Sequence, residues 1–104
     1  SETFSNATID LIAMFEDCIG CKWTIHLLMK IRCGINRPSA LVKTKKGLTT
    51  KVLNECLTRL VQFGIAEKLI YPELPPHVEY HLTPFGQEFA EILDRIEALQ
   101  HKFK

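Results

Sequence analysis

No stretch of this chain approaches the roughly 20 consecutive apolar residues that a membrane-spanning helix needs. Nothing near its start pairs a basic segment with an apolar one, so no signal peptide is expected. Neither sign of charge prevails: 13 Lys and Arg stand against 12 Asp and Glu, a formal net charge of +1. Bulk electrostatics therefore give no footprint for an anionic partner, and any basic patch has to be local. Four cysteines are too few for a dense disulfide framework, so a reduced, cytoplasmic chain is expected. A Gly-rich phosphate loop, a nucleophile elbow and an H-E-x-x-H motif are all missing. The acid pairs Glu16-Asp17 and Glu88/Glu91 fall on expected helix ends and faces, where solvation accounts for them. An enzyme is not expected, and neither is a cofactor. Low-complexity segments and internal repeats are absent too. The first residue is Ser1 rather than Met, which points to a processed or truncated start.

What is present suits one domain over residues 1–104, at 46% hydrophobic residues enough for a packed core. A domain of this size buries only about two-thirds of its unfolded surface, which favours a partner chain over leftover apolar area. Ile9, Ile12, Ala13 and Glu16 lie at helical spacing and predict a short amphipathic helix over about Ala7 to Asp17, stopped near Gly20. Lys22 to Ile31 is apolar on most faces and predicts a central helix. Cys33-Gly34-Ile35-Asn36-Arg37-Pro38 breaks it. Ser39 is the expected N-cap of a short helix carrying Ala40, Leu41 and Val42, with Thr44-Lys45-Lys46-Gly47 as the turn. Thr49 then caps a longer helix reaching about Gln62, which Gly64 stops.

The two helices around that turn make a helix-turn-helix over about 39–62. Ile65 to Tyr71 and Val78 to Leu82 alternate as strands, and Pro72, Pro75 and Pro76 confine the turn between them, giving a hairpin over 65–82. Thr83-Pro84 starts a last helix over 84–103, whose Phe85, Phe89, Ile92, Ile96, Leu99 and Phe103 recur alternately four and three residues apart. That is a coiled-coil-like seam, and Lys102 and Lys104 complement the dipole at its end. The expected fold class is mainly α with a small β-hairpin: a winged helix-turn-helix with terminal helices at a dimer interface. Ile9, Ile12, Phe89, Ile92, Ile96, Leu99 and Phe103 are the expected interface residues.

In the longer helix Leu53, Cys56, Leu57 and Leu60 form one stripe and Thr50, Lys51, Asn54, Glu55 and Thr58 the opposite one. The polar set suits major-groove work: Asn pairs bidentately with adenine, Lys reaches guanine or phosphate, Glu accepts from cytosine, Thr meets the thymine methyl. Thr49 opens that helix. Arg37, Lys43, Lys45 and Lys46 cluster where phosphate contacts are expected, and Lys68 and His77 flank the wing. Cys18-Ile19-Gly20-Cys21 is a C-x-x-C pair. It lacks the second pair of ligands a zinc site needs, so no metal is expected; it reads either as structural thiols or as a redox pair, with Lys22 positioned to lower the Cys21 pKa.

These segments resemble the HxlR-type family of winged-helix regulators, relatives of the MarR regulators. The matching residues are Gly20-Cys21-Lys22-Trp23-Thr24, Gly47-Leu48-Thr49, the spine Leu53, Leu57 and Leu60, Gly64-Ile65, Pro75-Pro76-His77-Val78-Glu79-Tyr80, and Leu82-Thr83-Pro84-Phe85-Gly86. The resemblance implies a homodimer on a palindromic operator, paired through its terminal helices. It departs from the family pattern at Asn6-Ala7-Thr8, where members carry a Cys-Pro pair that in several senses oxidants. Cys21 stands for a usual Gly, Pro38-Ser39-Ala40-Leu41 for Phe-x-Glu-Leu, Cys56 for a frequent Arg, and His77 for a common Arg. Two functions remain in play. One is a sequence-specific DNA-binding transcription regulator, homodimeric, with a small-molecule or redox effector left open. The other is a winged-helix module for protein interaction with little DNA binding.

Overall fold

The first described helix, α1 (Leu11–Ile19), starts where Asp10 turns the backbone out of helical geometry. The Asp10 carboxylate accepts from the backbone N–H of Ile12 at 3.1 Å and Ala13 at 3.2 Å, a side-chain N-cap. This computed structural model describes residues 10–103, so Ile9 and Lys104 lie outside the described residues. The helix begins later than the apolar spacing suggests, because a cap decides a helix start and the apolar periodicity does not.

Next comes α2 (Lys22–Arg32), which buries Thr24, Leu27, Leu28 and Ile31 and ends in two backbone hydrogen bonds donated back to the helix. Gly34 N–H donates to Ile31 O and Ile35 N–H to Lys30 O, at 3.0 Å each. That pair of hydrogen bonds is a Schellman stop, and it needs the positive φ of Gly34 (101°). The same stop, with Gly64 at φ 77°, closes α4 (Thr50–Gln62). Between them lies α3 (Pro38–Leu41), whose N-cap position is Arg37 and whose first residue is Pro38. Ser39 sits inside that turn and caps nothing; proline's fixed φ and missing N–H set the start instead.

Thr49 caps α4 (Thr50–Gln62) through its hydroxyl, which accepts from Val52 N–H at 3.2 Å. Two antiparallel strands follow, β1 (Ala66–Tyr71) and β2 (His77–Leu82), paired from Ala66 with Leu82 to Tyr71 with His77. Tyr80 N–H donates to Asn36 O at 2.8 Å, which fastens the hairpin to the loop after α2. The chain ends in α5 (Pro84–Lys102), capped by Thr83.

The core gathers Met14 and Cys18 from α1, Leu27 and Leu28 from α2, Leu41, the inner stripe of α4, Ile65, and Phe89, Ala90 and Leu93 from α5. Phe89 is only 5% exposed and meets Phe15 edge-on, with centroids 6.4 Å apart. It is a core residue of this chain, so the expected dimer seam loses it, and Leu93 joins it inside. The α5 seam is thus two faces. Gly86, Phe89, Ala90 and Leu93 turn inward, while Phe85, Ile92, Ile96, Leu99 and Phe103 stay exposed. Arg32 clamps α5 to α2 with a bidentate pair to Asp94, at 2.7 and 2.9 Å.

Candidate nucleic-acid interface

The stripe that α4 turns inward is complete: Leu53, Cys56, Leu57 and Leu60 are all buried. Once that stripe is fixed against α2, the 3.6-residue period leaves Thr50, Lys51, Asn54, Glu55 and Thr58 exposed on the far side. Asn54, Glu55 and Thr58 line one shallow groove with Arg59 and Gln62, two residues that the polar-stripe reading missed. Arg59 was hidden by its second engagement, an ion pair to Asp17 of α1 at 3.2 Å. Five amide, hydroxyl and charged groups of both signs on one helix face can read hydrogen-bond donors and acceptors on a base edge.

The turn ahead of α4 carries Lys43, Lys45 and Lys46, all exposed. It rests on two supports from α2. Lys45 Nζ lies 5.8 Å from the Trp23 ring centroid, with Lys22 Nζ on the same ring at 4.8 Å. Beside them, the Thr44 hydroxyl donates to Leu41 O at 2.6 Å, so it accepts from the Nε2–H of His26 at 2.9 Å. Burial, with Lys45 and Lys30 nearby, lowers the His26 pKa and so favours the neutral imidazole. The lysines are therefore presented from a propped turn, next to the N-terminus of α4.

On the wing, Lys68 is exposed in β1 opposite Tyr80. His77 is placed differently from expectation. Its Nδ1 meets Glu73 at 3.0 Å, its Nε2 meets Glu79 at 3.3 Å, and its ring stacks on Tyr71 with centroids 4.6 Å apart. Both nitrogens are engaged, so His77 presents no free donor to a phosphate in this arrangement. Glu79 also meets His81 Nε2 at 2.8 Å and Arg37 at 3.9 Å. Hydrogen bonds from His81, then His77, hold its carboxyl below the usual range. Arg37 thus has its ion-pair partner on the wing.

The cysteines correct the expected pair. Cys18 is fully buried, and burial, with Asp17 beside it, pushes its thiol up to about 11. The sulfur that lies against Cys21 belongs to Cys56 of α4, at 3.8 Å. Burial alone would raise the Cys21 thiol, but the nearby Thr24 hydroxyl and the backbone N–H groups of Trp23 and Thr24, which favour the thiolate over the thiol, bring it down to about 7. Lys22, over the Trp23 ring, is not among the causes. Among the described residues no group of three or more His, Cys, Asp or Glu could hold a metal ion.

Residues 18–104 match the family described as HxlR-like helix-turn-helix. The chain belongs to the HxlR-like helix-turn-helix family. YtfH of Escherichia coli K12, named an HTH-type transcriptional regulator, is 39% identical over 70 residues, covering 67% of this chain and 56% of YtfH. The chain thus spans little more than half the length of that relative. A MarR-family regulator of Enterococcus faecalis V583 superposes with a TM-score of 0.80 at 27% identity, over 94% of this chain and 91% of that one. The redox regulator HypR in its oxidised form superposes at 0.75 and 27% identity, over 88% and 94%. The HxlR-like fold is accordingly a winged helix-turn-helix, of the kind found in transcription regulators. No helix among the described residues is long and apolar enough to cross a membrane.

Proposed function

We propose that this HxlR-like chain is a DNA-binding transcription regulator that acts as a homodimer. Each α4 enters a major groove, the Lys43–Lys46 turn and Lys68 meet backbone phosphates, and the wing lies along the duplex. The observation that carries this reading is the fully exposed polar face of α4, held convex by a complete buried stripe on its other side. The lysine turn beside the α4 N-terminus supports it, because phosphate oxygens favour both lysine and unpaired helical N–H groups. Relatives named transcriptional regulators support it again. Half-sites should lie about one helical turn, roughly 34–36 Å, apart or a multiple of that. Thiol responsiveness belongs to the same reading: HypR is named a redox regulator, and this chain carries four free cysteines.

One observation favours a protein-interaction module instead: the wing presents Glu73 and Glu79 where a DNA-binding wing gains from positive charge. Retention of fragmented genomic DNA across a salt series separates the two. A DNA regulator loses affinity linearly in log–log form as salt rises, with a slope of about −0.9 per phosphate neutralised. Little retention at any salt concentration would put the DNA reading aside and leave the interaction module.

A further inference from the structure

We infer that Cys21 and Cys56 form an intrachain thiol–disulfide switch, closed by a hydroperoxide, that ties the N-terminus of α2 to α4. Its effect on DNA rests on the DNA-binding reading above; the bridge itself does not. The pair joins two elements 35 residues apart in sequence, with sulfurs already 3.8 Å apart. A disulfide needs about 2.0 Å between sulfurs, so closure asks for a small approach of two helices rather than a rearrangement.

The two thiols are unlike in a way that assigns their roles. Cys21 is the N-cap residue of α2 and is partly exposed, so a small oxidant can reach it at the positive end of the helix dipole. Cys56 is buried in the inner stripe of α4, and burial first of all raises its pKa. It therefore remains a thiol beside the Cys21 thiolate and donates its S–H to it. A third group completes the site. Thr24 Oγ1 is fully buried and has no hydrogen-bond partner, an uncommon and costly state for a hydroxyl. A thiolate on Cys21 supplies the acceptor that this hydroxyl lacks. Cys18, the other half of the C-x-x-C, is buried with a raised pKa and takes no part.

The chemistry balances with the hydroperoxide as oxidant. The Cys21 thiolate attacks the terminal oxygen of ROOH; an S–O bond forms, the O–O bond breaks, and the alkoxide takes a proton from water to leave as ROH. Cys56 sulfur then attacks the Cys21 sulfenic acid. The S–S bond forms, the S–O bond breaks, and hydroxide leaves with the Cys56 proton as water. Two electrons pass from the sulfurs to the peroxide. Because Cys56 is flanked by Glu55 and Leu57 and lies two residues from Asn54, drawing its sulfur toward α2 shifts the face that α4 presents, and DNA affinity falls.

The test treats the full, reduced chain with hydrogen peroxide, then maps disulfides by mass spectrometry and measures retention of DNA fragments selected by the reduced protein. The expected result is one Cys21–Cys56 linkage within a single chain, loss of two thiols, weaker DNA retention, and recovery of both with dithiothreitol. Cys21→Ser should abolish the bridge. Cys56→Ala should stop the reaction at a Cys21 sulfenic acid that dimedone traps. Thr24→Val, which removes only the hydroxyl, should slow peroxide consumption and move the pH midpoint of Cys21 alkylation upward. Should Cys56→Ala fail to fold, Cys21→Ser and Thr24→Val still decide the matter. A linkage through Cys18 or Cys33, or one between chains, overturns the assignment. A bridge that forms without changing DNA retention overturns the coupling to α4. If the reduced chain retains no DNA at all, the DNA reading fails while the linkage map still judges the bridge.

Discussion

Gly86 stands where α5 passes so close to the start of β1 that a Cβ would run into the Ile65 carbonyl. The approach is fixed by Thr83, whose hydroxyl donates to Gly64 O at 2.6 Å and accepts from Gly86 N–H at 2.9 Å. Gly86→Ala is expected to cost about 1–3 kcal/mol or more, as overpacking does, seen as a lower midpoint in urea unfolding at unchanged slope. The Thr83 cap and Pro84 are readable in sequence because both act within one turn. The reason for Gly86 is not, because the obstructing atom belongs to another element. Cys21 and Cys56 repeat that lesson: adjacent spacing draws the eye to Cys18, while the real neighbour lies on α4. The Cys21 shift carries its own prediction. At pH 6 a thiol titrating at about 7 is about thirtyfold richer in thiolate than an ordinary cysteine near 8.5. Iodoacetamide labelling of Cys21 should rise with pH through a midpoint near 7, and a midpoint near 8.5 would contradict the environment described. The sign for stability follows from the lowered pKa. The contribution is fully present above the unfolded thiol's pKa and is lost as pH falls through about 7.

At the scale of elements, α4 divides cleanly into a structural and a chemical face, and this division was legible because it rests on helical period alone. Leu53, Cys56, Leu57 and Leu60 inside leave no freedom over which residues point out. Asn54→Ala should therefore cost about 1–3 kcal/mol at a cognate site if the amide reads a base, with little effect on random DNA. Replacing Lys45 and Lys46 by Ala should instead weaken cognate and random DNA alike and flatten the salt dependence. Binding isotherms on both DNAs distinguish the two, and equal losses from Asn54→Ala would remove its role as a base reader. The wing was less legible. Its strands and proline turn follow from alternation and from missing N–H donors, but the engagement of His77 by Glu73 and Glu79 depends on strand register and on the path of the turn. The start of α1 and the cap of α3 were misplaced for a related reason: Asp10 and Pro38 act through local backbone geometry that apolar spacing does not report.

For the whole molecule, the open question is what covers the outer face of α5. Ile92, Ile96, Leu99 and Phe103 line it, with Leu99 59% and Phe103 76% exposed, and Ile12 of α1 is 70% exposed. The inner face is already spent on the chain's own core through Phe89 and Leu93, and the Arg32–Asp94 clamp fixes which face points away. An isolated monomer rarely leaves so contiguous an apolar surface in water. In the homodimer proposed above a second copy would cover it, because one self-complementary patch related by a two-fold axis buries both. The same pairing would fix the separation of two α4 helices and make interface and half-site spacing one property. Ile96→Glu with Leu99→Glu introduces four carboxylates at the two-fold interface without touching the buried Phe89–Leu93 face. Sedimentation should then report a folded monomer, with helical circular dichroism retained, and binding to a palindromic site should fall far more than binding to a half-site. A wild-type chain that sediments as a monomer at micromolar concentration would refute the pairing and leave the outer face of α5 to a different partner.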